Sequence, residues 1–306
     1  MILYLDCDTG VDDAIALAVL LASPDVELAG IGTVSGNTSA GQAARNTLGL
    51  LALAGRDDVP VAVGEHDPLA GTYDGGATVV HGGNGIGGVD LPPPARGPID
   101  ARASDLLVEL ARARPGELQV LATGPLTNLA RALLTEPRLP DLVAGVTVMG
   151  GAVRVPGNIT GHAEANIAND PEAAAAVLAA PWPVTLVPLD VTMRHTFEEA
   201  DRDALRAAGT PLPVALAALL GEYFDYYQPV LGVRRVPLHD PLAAGIVTGE
   251  LVPDEAPLLG LRVECGTGAE RGRIVADPGA GHPTRVVFSL VRPAGPIIRA
   301  RILRSR

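Results

Sequence analysis

The stretch Leu5 to Leu17 reads LDCDTGVDDAIAL and places four carboxylates, Asp6, Asp8, Asp12 and Asp13, within eight positions. It follows a short apolar run and leads into an Ala-rich one, so a buried strand is expected to hand over to a helix just where like charges crowd. Asp12 and Asp13 would occupy the first helical turn, where the backbone N–H dipoles favour anions. That explains two acids but not four. A hard divalent cation explains the rest, because such ions take their ligands from carboxylate and carbonyl oxygens. On this reading Asp8 and Asp13 hold the ion, and Asp12 is free to meet a hydroxylated ligand.

Two other schemes fit less well. A helix–loop–helix calcium loop needs a preceding helix and a Glu at loop position twelve. Counting from Asp6, that position is Leu17, and a strand precedes it. A phosphatase of the haloacid-dehalogenase type starts with an apolar strand and DxDx[TV]. Here the fifth position is Gly10, and the lysine such enzymes use to hold a phosphoryl group has no counterpart, since all 23 basic residues are arginine. That absence also excludes Schiff-base chemistry and a Walker-type phosphate loop.

Short apolar runs at Ile2 to Leu5, Val26 to Val34, Pro60 to Val63, Leu118 to Ala122, Val143 to Met149 and Val184 to Leu189 read as buried strands. Helical patterns lie between them at Asp12 to Ala22, Ala40 to Ala54, Ser104 to Ala113, Leu126 to Leu134 and Pro171 to Ala179. Alternation of this kind predicts an α/β fold: a mostly parallel central sheet covered by helices on both faces. Residues 198 to 250 read as helical, Leu258 to Val287 as extra short closing strands, and the whole of 1–306 as one domain. Ligands of such sheets bind beyond the carboxyl ends of the strands, and polar residues collect there: Asp8, VSGN with Asn37, ATGPLTN with Thr123, and PLD. The stretches 64 to 103 and 150 to 169 are Gly- and Pro-rich and longer than connections need, as functional loops often are.

The bulk properties bound the function. A chain of 306 residues, 47% hydrophobic, can bury a sizeable core. A net charge of −12 argues against nucleic-acid and anionic-membrane partners. No run of about 18 apolar residues would span a bilayer. The start MILYLDCD lacks the features of a signal peptide, so a cytoplasmic location is expected. Cys7 and Cys265 form no disulfide framework or zinc motif, and strand alternation directs Cys7 into the core.

The motifs DCDTGVDD, VSGN, ATGPLTNLA, VMGGA, GNITGHAEAN with NDPEAA, and PLHDPLA run in order from Asp6 to Asp240. Together they resemble the inosine–uridine-preferring nucleoside hydrolase family. The resemblance implies a tightly bound Ca²⁺ held by Asp8, Asp13, the Thr123 carbonyl and Asp240. It implies Asp8 as general base on the attacking water and His239 as the acid that protonates the leaving base. Asp12, Asn37 and Asn166 would hold the ribose diol, and Asn158 and Glu164 its 5′ side. Met149 and His81 would complete the substrate-binding set, with His81 beside the base. The expected reaction is hydrolysis of a ribonucleoside to ribose and free base by a single inverting displacement, without a covalent sugar intermediate. The expected assembly is a homodimer or homotetramer. A phosphatase, or a calcium-dependent nucleoside- or ribose-binding protein without turnover, are the alternatives.

One departure stands out: the family's AEFN or AEYN reads AEAN here, with Ala165 in place of an aromatic residue. Trp182 is expected in the core rather than stacked on a base. Tyr226, Tyr227 and Arg234 or Arg235 resemble a helix that caps the base in some members, or belong to a structural helix face. Gly83 to Gly88 fits GxGxxG, but VDLPPP follows it instead of a helix, so no dinucleotide site is expected. His162 reads as loop support, and His66, His195 and His282 as non-catalytic.

Overall fold

A computed structural model describes residues 1–304. The strands are β1 (Ile2–Cys7), β2 (Glu27–Thr33), β3 (Val61–Val63), β4 (Ile99–Arg102), β5 (Leu118–Ala122), β6 (Val143–Met149), β7 (Val184–Val187), β8 (Thr196–Glu198), β9 (Arg235–Pro237), β10 (Leu258–Leu259), β11 (Leu261–Val263), β12 (Ile274–Ala276) and β13 (Thr284–Val286). The helices are α1 (Val11–Leu21), α2 (Ala40–Leu53), α3 (Thr78–His81), α4 (Ala103–Ala113), α5 (Thr127–Thr135), α6 (Leu139–Leu142), α7 (Ala165–Asn169), α8 (Pro171–Ala179), α9 (Leu189–Thr192), α10 (Glu199–Ala207), α11 (Pro211–Leu231), α12 (His239–Val247) and α13 (Ala294–Ile302).

Nine strands form one sheet in the order β10-β13-β7-β6-β5-β1-β2-β3-β4. Every pairing in it is parallel except β10 with β13. The chain moves outward from β1 to β4 on one side, then returns to place β5 against the other side of β1. This reversal opens a crevice at the carboxyl ends of β1, β2 and β5, the place where open parallel sheets bind ligands.

Period-two alternation splits the core into two layers. In β1, Leu3, Leu5 and Cys7 face the layer built with α1, α11 and α12, whereas Tyr4 faces the layer built with α4, α5 and α8. The helix α1 is buried from Val11 to Leu20, which is why its sequence is apolar almost all round. Trp182 lies fully buried in the second layer and donates its indole N–H to the Val177 carbonyl at 2.8 Å. Cys7 is buried with its sulfur 3.3 Å from Thr9 Oγ1.

The parallel sheet and the short C-terminal strands match the sequence reading, but the two long loops carry more structure than expected. The stretch 64 to 103 contains α3 and the edge strand β4, and 150 to 169 ends in α7. The segment 198 to 250 is mainly helical, in α10, α11 and α12, and also holds β9, which pairs with β8 in a two-stranded antiparallel ribbon. The Asp of PLD is not a ligand-facing group: Asp190 accepts the backbone N–H groups of Val153 and Arg154 at 2.9 and 2.7 Å and pins that loop to α9.

Candidate active site

Gly10 separates β1 from α1, and its missing side chain is what lets the site assemble. A Cβ there would come within 2.6 Å of both Asn37 Nδ2 and His81 Nδ1. Gly36 serves the VSGN turn in the same way, since a Cβ would meet Asp8 Oδ2 at 2.1 Å. Asp13 accepts the Gly10 N–H at 2.8 Å, so the acid that opens the helix also fixes its entry.

Around this corner the structure gathers Asp8, Asp12, Asp13 and Asp240, all buried. One carboxylate oxygen from each of Asp12, Asp13 and Asp240 falls within 4.8 Å of the others. Asp8 joins them through Asn37, whose backbone N–H reaches Asp8 Oδ2 at 2.7 Å. The Asn37 amide then bridges Asp8 Oδ1 and Asp13 Oδ2 at 3.2 Å each. Thr123 Oγ1 donates to Asp13 Oδ1 at 2.7 Å. Asn166 Nδ2 donates to the Thr123 and Met149 carbonyls at 2.8 and 3.1 Å.

The protein's own groups do not satisfy these acids. Asp12 Oδ1 is buried without a hydrogen-bond partner, which is costly for a group that ionises. Burial, and then the charge of Asp13, push Asp8 well above the carboxylate range. Burial raises Asp13 and Asp240 too, helped by Asp12 in both cases, and holds Asp12 at about 6. No lysine or arginine lies among these partners. A divalent cation fits this set: it would satisfy the orphaned oxygen and reverse the mutual repulsion, and an all-oxygen donor set suits a hard ion such as Ca²⁺.

The opposite wall comes from α3, α11 and α12. His81 Nδ1 accepts the Val11 N–H at 3.1 Å, so a neutral imidazole presents its N–H at Nε2; burial keeps the ring neutral by lowering it to about 4. Tyr223 donates its hydroxyl to Asp12 Oδ2 at 3.2 Å. One turn further along α11, the Tyr227 hydroxyl lies 3.1 Å from His239 Nε2, and His239 Nδ1 lies 2.8 Å from Thr192 Oγ1. Burial, then His81, lower His239 to about 3.

Most of the expected residues therefore meet, with three differences. Asp12, expected to meet the ligand only, belongs to the closest acid trio, while Asp8 stands beside it behind Asn37. Asn158 is exposed on its loop and spends its carboxamide oxygen on the Ala165 N–H at 2.9 Å. Glu164 caps α7, accepting from Gly151, Asn166 and Ile167, and faces Asp12 and Asp240 only as a neighbouring charge. Tyr223 escaped the sequence reading altogether. Its signal was the four-residue spacing from Tyr227, which stacks two aromatics on one helix face.

A parallel sheet with carboxylates at its switch point and imidazole and phenol groups opposite defines an α/β protein built around a polar crevice at the carboxyl edge of its strands. The sequence model of the inosine–uridine preferring nucleoside hydrolases matches residues 3–294. The chain is 40% identical over 240 residues to a probable uridine nucleosidase 2 of Arabidopsis thaliana, covering 78% of this chain and 74% of that protein. It is 39% identical over 237 residues to the pyrimidine-specific ribonucleoside hydrolase RihA of Citrobacter koseri, covering 77% and 75%. The solved purine-preferring ribonucleoside hydrolase of Gardnerella vaginalis superposes with a TM-score of 0.93 at 30% identity, over 100% of this chain and 98% of that one. The chain belongs to the inosine–uridine preferring nucleoside hydrolase family.

Proposed function

We propose that the protein is a Ca²⁺-dependent ribonucleoside hydrolase that splits the N-glycosidic bond to give ribose and free base. The observation that carries this reading is the buried trio Asp12, Asp13 and Asp240, with Asp12 Oδ1 unpartnered, directly below a wall of neutral His and Tyr side chains. Asp8, Asp13, Asp240 and the Thr123 carbonyl would hold the ion, with the unpartnered Asp12 Oδ1 beside it and the rest of Asp12 free for the ribose. The ion would supply positive charge that holds the carboxylates ionised and acidifies water nearby.

Asp8 accepts the proton of the attacking water. Asn37 keeps the Asp8 carboxylate in one orientation and so keeps it ready as a base. Asp12, Asn37 and Asn166 hold the ribose hydroxyls, with Glu164 and Asn158 on the 5′ side. As the bond to the base lengthens, positive charge grows on the sugar, and the surrounding carboxylates and carbonyls of Thr123 and Met149 stabilise it. His81 donates its Nε2 N–H toward the base. His239 rests neutral and acts as an acid only after it has taken up a proton; the imidazolium then passes a proton through the hydrogen bond it shares with Tyr227 to the departing base and returns to the neutral ring. The protein acts without nucleic acid or membrane, in the cytoplasm, as a homodimer or homotetramer.

The test is reducing-sugar release from uridine, cytidine, inosine, adenosine and guanosine, before and after dialysis against EDTA, with Asp8→Ala as the blank. Turnover that needs both Asp8 and calcium supports the reading. Absence of sugar release from every nucleoside, with calcium bound, rejects it.

A further inference from the structure

The crevice does not end at the ribose. Beyond Asn37 it continues as a cleft of about 170 Å³ walled by Gly36, Gly76, Ile159 and Ala165. Asp74, Ala168 and Asn169 line this cleft and also a second chamber of about 220 Å³. The chamber lies over the carboxyl ends of β2 and β5, at Ser35 and Thr127. Asn169 donates to the Ala165 carbonyl at 2.9 Å, which fixes the threshold between the two spaces. An aromatic base belongs against the Tyr223, Tyr227, His81 and His239 side. With Asn158 and Glu164 on the 5′ side, as in the reading above, C5′ falls on the Ala165 flank of the ribose, because Asn158 is tied to the Ala165 N–H, and the small Ala165 leaves the way into the cleft open.

The chamber's charges select what can enter. Asp67 and Asp74 accept only backbone N–H groups, from Tyr73 at 2.9 Å and Gly76 at 3.1 Å. The one arginine on the wall, Arg271, is committed to Glu172 through two bonds of 2.8 and 2.7 Å and to the Cys265 carbonyl at 2.6 Å. Glu65 pairs with Arg131 at 3.4 Å, and His66 is held by Ser35 Oγ at 3.1 Å. The lining is thus rich in acceptors and anionic, with no free cation among the described residues.

We propose that the enzyme accepts ribonucleosides extended at C5′ by a hydrogen-bond-donating, non-anionic group, which lies in this chamber, and that it rejects 5′-phosphates. The proposal rests on the hydrolase reading above and names the substrate class that the same site admits.

The experiment compares kcat/KM for uridine and inosine, each as the parent, as the 5′-deoxy-5′-(2-aminoethylamino) derivative and as the 5′-monophosphate. The amine derivatives should keep an efficiency comparable to their parents, and the monophosphates should fall by about a hundredfold from like-charge repulsion. Asp74→Asn should lower the amine-to-parent ratio about fivefold, the scale of one half-screened charge pair. Ala168→Phe, which fills the passage, should lower it further. Equal loss of amine and phosphate derivatives in the wild type would overturn the proposal, as would a ratio that neither variant moves. If neither parent is hydrolysed, the hydrolase reading itself fails and takes this proposal with it; if the parents are cleaved and the amines are not, only the proposal falls.

Discussion

Two acidic places, one at Asp6 on β1 and one that begins two residues later at Asp8, just past the strand's end, have opposite characters. Asp6 faces the layer of α4 and α5, where Asn128 Nδ2 donates to both its oxygens, at 3.3 and 3.1 Å, and the Tyr4 hydroxyl lies 3.1 Å from Oδ2, so neither oxygen is without a partner. Asp8, Asp12, Asp13 and Asp240, on the crevice side, crowd one another, and Asp12 Oδ1 has no donor at all. Both places are buried and both hold raised pKa values, so neither burial nor titration tells them apart. What separates them is whether the chain completes the hydrogen bonding. An acid satisfied by its own protein is architecture, and an acid left unsatisfied awaits a ligand.

The comparison can be broken most severely at Asp8. Asp8→Asn should lower kcat by about 10³-fold, the usual scale of a general base, and in calcium-free buffer should leave circular dichroism and melting temperature at or above the wild type because a repelling charge has gone. An Asp8→Asn enzyme that turns over normally would remove Asp8 from the chemistry.

Chelation tests the crevice acids next. Stripping calcium should lower stability by about 4 kcal/mol relative to protein in calcium at roughly a thousand times Kd, read as a fall in melting temperature. The stripped protein should also have a distinctive pH response. Asp12 sits at about 6 against an ordinary 3.8, so the folded state without calcium binds its proton more tightly than the unfolded chain. That contribution is fully present below about pH 4 and is lost as pH rises through about 6. Stripped protein should therefore melt higher at pH 5 than at pH 7.5, and calcium should erase the difference; a stripped protein indifferent to pH would show that the acids do not repel.

Gly10→Ala sharpens the comparison through geometry alone. Its Cβ would displace Asn37 and His81, and misplacement on the ångström scale should reduce kcat/KM by about 100-fold with little change in fold. The smallest effect is expected at Asp6→Asn. Asp6 lies at about 7 against an ordinary 3.8, so its contribution to stability is lost as pH rises from about 4 through 7. The variant should retain kcat and calcium affinity and gain stability over the wild type across that range, levelling off at alkaline pH. A large loss of activity would mean that the two places are not independent.

Much of this was readable from residue order. The parallel sheet followed from apolar runs separated by helical patterns, because strands covered on both faces have no polar side to show. Asp8, Asp13 and Thr123 stood out as polar residues that follow a strand or open a helix at the ligand-binding edge, whereas Asp240 came only from the resemblance of PLHDPLA to the family motif. The roles of Asp6 and Asp12 were not, since the sequence cannot say which acid will find an Asn128 and which will not. The edge strand β4 escaped because its IDAR sequence is polar and largely exposed, without an apolar run. Asp190 looked like a site residue for the right positional reason and proved to be a loop anchor, as strand-end acids can serve either purpose. The pairing of Tyr227 with His239 depends on how α11 leans on α12, a tertiary fact that helical spacing only hints at.

The wide separation in sequence of Asp13 and Asp240 has a temporal consequence. The first contributes from the opening turn of the chain and the second from α12, laid down after β7 and the long α11. A nascent chain that has completed β1, α1 and β2 exposes half a cage of like charges and cannot close it until the last long helices have emerged and docked. Such contacts, distant along the chain, form late because loop closure must precede them. The crevice is thus an end-point of folding rather than a nucleus, and on the proposed reading a cation could be captured only once the chain from β1 to α12 is in place.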